Sequence, residues 1–197
     1  MDNLGASNGG VGLGILPPRR PPLFGTGELP DITYTSALLA ILAGVIHAGL
    51  TPVIQVAGVY PNLALVAVVL VTVVFGFTHG TIWAFAAGLT ANLVVSAPLG
   101  SLPLTLLLVA VLVAAGDRVL GRLTWVYPVL AAFAASIVAD AATLAISRLV
   151  GEPVAGGDAL ALMLPAAVLN AVLAGLLFPL VRLLAGRLGL LEERPAW

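Results

Sequence analysis

Residues 61–95 read PNLALVAVVLVTVVFGFTHGTIWAFAAGLTANLVV, and the fold turns on whether this stretch is one helix or two. A single 35-residue helix is one reading. The other breaks the run at GFTHG, where Gly76, His79 and Gly80 cluster and argue for a tight turn. Split there, the pieces at about 61–77 and 80–95 are short for a hydrocarbon core that takes roughly 20 helical residues. Such spans either thin the bilayer locally or sit inside a bundle, away from lipid.

The rest of the chain leaves little doubt about the solvent. Of 197 residues, 60% are hydrophobic and 9% charged, and mean hydropathy is +1.14. A soluble domain carries roughly 25% charged residues to coat its surface, so this chain needs a bilayer. Hydrophobic spans are expected at about 36–58, 61–77, 80–95, 102–120, 125–149 and 159–185. The fold class is therefore an all-α membrane protein, a polytopic bundle of six transmembrane helices over 31–188. Residues 1–30, rich in Gly and Pro, read as a disordered cytoplasmic tail, and 189–197 as a C-terminal cytoplasmic tail. PPRRPP within the first tail also has the form of a polyproline-II ligand.

Charge fixes the orientation. All eight basic residues are Arg. With six spans, Arg19, Arg20, Arg118, Arg122, Arg182, Arg187 and Arg194 fall on one side and Arg148 alone on the other. The positive-inside rule then puts both termini in the cytoplasm. A net charge of −1 offers no basic face for nucleic acid. The absence of Cys excludes disulfides and thiolate metal sites.

The informative residues are the polar ones within apolar runs. His47, Thr51 and Gln55 stand four apart and would form a polar row on one helix face, with Pro52 beside them. Gly80, Ala84, Gly88, Asn92 and Ser96 repeat the same spacing. That small-residue stripe lets helix backbones approach closely, and Asn92 on it is placed to hydrogen-bond across to a neighbour. Pro98 and Gly100 then make a turn, and Pro103 suits the first turn of the next helix. Asp140 lies deep in AASIVADAATLAI, where a central Asp costs roughly 2.5–3.5 kcal/mol on insertion scales. It needs a partner, and Asn170, Asn92 and the His47 row are candidates. Asn170 is flanked by Ala166 and Ala174 at i−4 and i+4, and Pro165 and Pro179 lie in the same span.

Catalytic patterns are missing. There is no G-x-S-x-G, no H-E-x-x-H, no phosphate-binding Gly loop, and Asp140 has no second intramembrane carboxylate. His47 has no His or Cys companion at ligand spacing, so no metal or other cofactor is expected.

The ordered motifs resemble the rod shape-determining protein MreD family. Leu50 and Pro52, then Gly58, Val59, Pro61, Asn62 and Leu63, are similar to that family's Leu-x-Pro element followed by Gly-Val-x-Pro-Asp-Leu. Gly88, Leu89, Asn92, Leu93, Pro98, Leu99 and Gly100 match Gly-Leu-x-x-Asp-Leu and Pro-Leu-Gly. Asp117–Arg122 fits the family's cytoplasmic loop, and Asn170, Pro179 and Arg182 fit its last helix. The likeness runs over about 37–188. Relatives often carry Asp where this chain has Asn62 and Asn92, which favours a hydrogen-bonding role for both.

The resemblance implies a non-catalytic inner-membrane protein of the cell-elongation machinery. It implies an MreC-type bitopic partner and, indirectly, the peptidoglycan polymerase RodA with its transpeptidase, amid membrane lipid. The six-span bundle is also similar to the substrate-binding subunits of energy-coupling-factor transporters. A vitamin-type binding subunit is accordingly the alternative function. A third reading makes Asp140 part of a proton- or ion-translocating subunit. The residues expected to pack the bundle or meet a partner are Gly80, Ala84, Gly88, Asn92, Pro98, Gly100, Pro61, Asn62, Asp140, Asn170 and His47.

Overall fold

The computed structural model describes residues 30–51, 53–56, 58–95, 97–120, 125–151 and 158–187. The two tails, with PPRRPP, lie outside the described residues, as do Pro52 and Ser96. The described chain is all helical apart from one isolated bridge between Val56 and Val59. Six helices follow in order: α1 (Pro30–Leu50), α2 (Leu63–Phe75), α3 (Phe77–Val94), α4 (Ser101–Leu120), α5 (Tyr127–Val150) and α6 (Asp158–Arg187).

The opening stretch is two helices, and the break is a single residue. Gly76 adopts φ 89°, a left-handed conformation that costs a side-chain-bearing residue and that glycine takes freely. The turn is tighter than expected. His79 and Gly80 belong to the first turn of α3, with His79 Nδ1–H donating to the Phe75 carbonyl at 3.1 Å.

The α2 helix, at 13 residues, spans about 20 Å, well under a hydrocarbon core of ~30 Å. It sits inside the bundle: eight of its 13 residues are buried, Val68 and Val69 completely. It touches all five other helices. Around it runs an arc in which α1 packs on α3, α3 on α4, α4 on α5 and α5 on α6. Among the described residues α1 and α6 do not meet, so the arc is open between them.

Three helix segments are long and apolar enough to cross a bilayer: Ser101–Leu120, Tyr127–Val150 and Ala161–Arg187. Their outer faces are bare hydrocarbon, with Leu149 86% and Leu176 66% exposed. Lipid tails are as apolar as leucine, so hydrophobic burial does not drive these helices together, and close packing of small residues does. The core reflects this. The buried face of α5 is Tyr127, Pro128, Ala131, Ala132, Ala135, Ser136 and Ala139. Facing it, α6 buries Ala167, Asn170, Ala171, Ala174 and Phe178. Pro165 and Pro179 both lie within α6.

The first helix differs most from expectation. It starts at Pro30 and stops at Leu50, eight residues before the expected end at 58. Thr51 precedes Pro52, and a residue before proline is pushed out of the helical region. The row His47, Thr51, Gln55 is therefore broken. Thr51 Oγ1 still shares a 2.9 Å hydrogen bond with His47 Nδ1, while Gln55 lies exposed beyond the helix. The chain reverses at Val56–Val59, where the two residues exchange backbone hydrogen bonds of 2.9 and 3.0 Å.

Candidate functional site: a polar end of the bundle

The small-residue stripe on α3 is spent on the chain's own helices. Gly80, Ala84, Gly88 and Asn92 are all buried. A methyl group on Gly88 would stand 2.6 Å from Pro103 Cα of α4. One on Gly80 would collide with the Thr72 side chain of α2. A third glycine, Gly44 of α1, meets α3 beside the stripe: its Cβ would lie 2.5 Å from the Ala87 carbonyl oxygen. Trp83 Nε1–H adds a 2.8 Å hydrogen bond to Ser36 Oγ across the same contact. The described members of the stripe are thus buried within this chain.

Asn92 acts locally instead of bridging to another helix. Its Oδ1 accepts the Gly100 backbone N–H at 2.7 Å, and its Nδ2 donates to the Ala97 carbonyl at 3.3 Å. The amide thus laces the turn that carries the chain from α3 into α4. Gly100 holds φ 88° there, and Pro98 lies in the same turn.

The cross-helix link comes from Asn170. Its Oδ1 accepts the backbone N–H of Asn62 at 2.8 Å, and its Nδ2 donates to Ser136 Oγ at 2.9 Å. Asn62 is in turn the N-cap of α2, its Oδ1 accepting Leu65 N–H at 3.0 Å, which satisfies one of the orphan donors of a helix start. Pro61, just before it, is buried. One amide therefore joins α2, α5 and α6. Ala174 beside it is buried and Ala166 half-buried, so the packed face is turned slightly, toward Ala167 and Ala171.

Asn170 is thereby not the partner expected for Asp140, and neither is Asn92. Asp140 is partly exposed and its carboxyl makes no hydrogen bond among the described residues. It instead shares a cavity with His47, Asn62, Ala91, Leu102, Thr105 and Thr143. These come from the end of α1, the cap of α2, the end of α3, the start of α4 and the second half of α5. His47, Asn62, Thr105, Asp140 and Thr143 thus converge at one end of the bundle. Arg148, at the end of α5, lies toward that end too. At the opposite end, Arg182 and Arg187 line a groove with Trp125 and Pro179, and Trp125 meets the Phe178 ring edge-on at 6.0 Å.

Three participants were missed from sequence. Thr105, alone in the apolar run LPLTLLLVA, is 4% exposed, and an isolated Thr in such a run is itself a signal. Gly44 stands in LAGVIHAGL. Tyr127 donates its hydroxyl to the Val113 carbonyl, tying α5 to α4, and Gly116 leaves room for its ring. Among the described residues no group of three or more His, Cys, Asp or Glu is placed to hold a metal ion.

A family model described as rod shape-determining protein MreD matches residues 31–188, which include nearly all of the helical bundle. No curated protein and no solved structure matches the chain.

Proposed function

The chain belongs to the rod shape-determining protein MreD family, and from that membership we propose that it is a non-catalytic, multi-pass protein of the bacterial inner membrane that binds an MreC-type bitopic partner. In this role it helps scaffold peptidoglycan synthesis around RodA and its transpeptidase. Membership implies a part in rod-shape determination, and the match over 31–188 is the observation that carries the reading. The bundle geometry is compatible with it: Asn62, Asn92, Ser136 and Asn170 are engaged in holding helices and turns.

In this account all six helices cross the bilayer or lie within it, with both termini cytoplasmic. The end bearing Arg118, Arg182 and Arg187 faces the cytoplasm. The polar end, with Asn62, Asn92 and Asp140, faces outward, where the extracytoplasmic domain of a bitopic partner would be. The vitamin-binding alternative gains nothing from the polar cavity, whose volume is about 20 Å³ against roughly 300–1,000 Å³ for a small-molecule site. Depletion of the protein in its own rod-shaped host tests the reading. Cells should widen and round, and re-expression should restore rods. Unchanged rods after full depletion would refute it.

A further inference from the structure

The cavity lined by α1 to α5 holds polar groups that the scaffold reading does not use. Thr105 Oγ1 is buried without a hydrogen-bond partner among the described residues. Asp140 has none there either. His47 is 9% exposed and spends Nδ1 on Thr51, leaving Nε2 as its other polar atom. Thr105 Oγ1 is closed off from bulk water, and a buried hydroxyl left unsatisfied is costly. A buried water needs roughly 10–15 Å³ of accessible space and two to four polar partners. The cavity has about 20 Å³ and is lined by His47, Asn62, Thr105, Asp140 and Thr143.

We propose that this cavity binds one ordered water molecule, which joins Thr105, Asp140 and His47 into a single hydrogen-bonded unit. The consequence is mechanical. Among the described residues α1 and α5 do not pack on each other, so the water gives α1 a polar tie across the bundle to α5. An organic ligand does not fit the volume. Among the described residues no Lys or Arg lines the cavity.

The isosteric variant Thr105→Val tests this by its sign, on the full chain in detergent. If the hydroxyl is held by a water, its loss lowers the apparent melting midpoint by about 2–4 °C, and Thr105→Ser restores it. Thr105→Val combined with Asp140→Asn then shifts the midpoint by less than the sum of the single shifts, since both break one unit. If the cavity is dry, Thr105→Val removes an unsatisfied polar group and the midpoint stays or rises, which overturns the proposal. So does a midpoint that moves when sodium is replaced by choline, because the guest is then a cation. Should Thr105→Val fail to fold, a high-resolution map of the wild type decides. A peak within hydrogen-bond distance of Thr105 Oγ1 and Asp140 is expected, and an empty cavity refutes it.

Discussion

Replacing Asn170 with Leu removes the side chain that joins three helices while keeping its approximate volume. Two hydrogen bonds go, to Asn62 N–H and to Ser136 Oγ. Side-chain hydrogen bonds between membrane helices average about 0.6 kcal/mol by double-mutant cycles, so the bonds alone amount to roughly 1 kcal/mol. Asn62 N–H is then left facing an apolar side chain, and one such stranded group adds about 1–3 kcal/mol. The expected total is about 2–4 kcal/mol. Ser136→Ala breaks one bond, leaves the Asn170 Nδ2 donor unpaired, and should cost about 1–2 kcal/mol. Both are measurable by equilibrium unfolding in mixed micelles, followed by far-UV circular dichroism. The network also predicts coupling. Asn170→Leu on the Ser136→Ala background should cost at least 0.5 kcal/mol less than on wild type, by order of magnitude. Fully additive losses, or an Asn170→Leu cost below about 0.5 kcal/mol, would show that the amide does not hold these helices together.

Gly88→Ala and Gly44→Ala should each destabilise the bundle by about 1–3 kcal/mol, because Cβ would enter the α4 and α3 backbones; exposed Gly49, with open space around it, is the control, and equal effects at all three sites would contradict the packing. Asn92→Leu removes the acceptor for Gly100 N–H and should cost about 1–2 kcal/mol; limited proteolysis should show faster cleavage near 95–100, and unchanged cleavage would argue against the lacing role. Tyr127→Phe removes the tie to the Val113 carbonyl and should lower stability by about 1 kcal/mol, read in the same micelle titration.

Much of the architecture was legible because helix length and apolar composition act locally. The start of α4 at Ser101 and the ends of α5 differ from the expected positions by only a residue or two. The break in 61–95 was legible from the cluster of Gly76, His79 and Gly80, though of these only Gly76 makes the break, through its positive φ. The end of α1 was misread because apolar residues continue through Val53, Ile54 and Val56, and hydropathy outvoted Pro52. The polar residues were harder. Their presence inside apolar runs was plain, but a partner depends on where the chain returns. Asn92 meets Gly100, eight residues on, because the turn folds back. Asn170 meets Asn62 across 108 residues, and no spacing rule reaches that far. Gly80, Ala84 and Gly88 are buried against this chain's own helices, and the spacing of small residues alone does not say whether a stripe meets this chain or another.

Co-purification of the full chain with the MreC-type protein of the same genome, in a mild detergent, tests the central claim most directly. The account predicts a stoichiometric complex that survives size exclusion. Both proteins recovered folded but separate would contradict it.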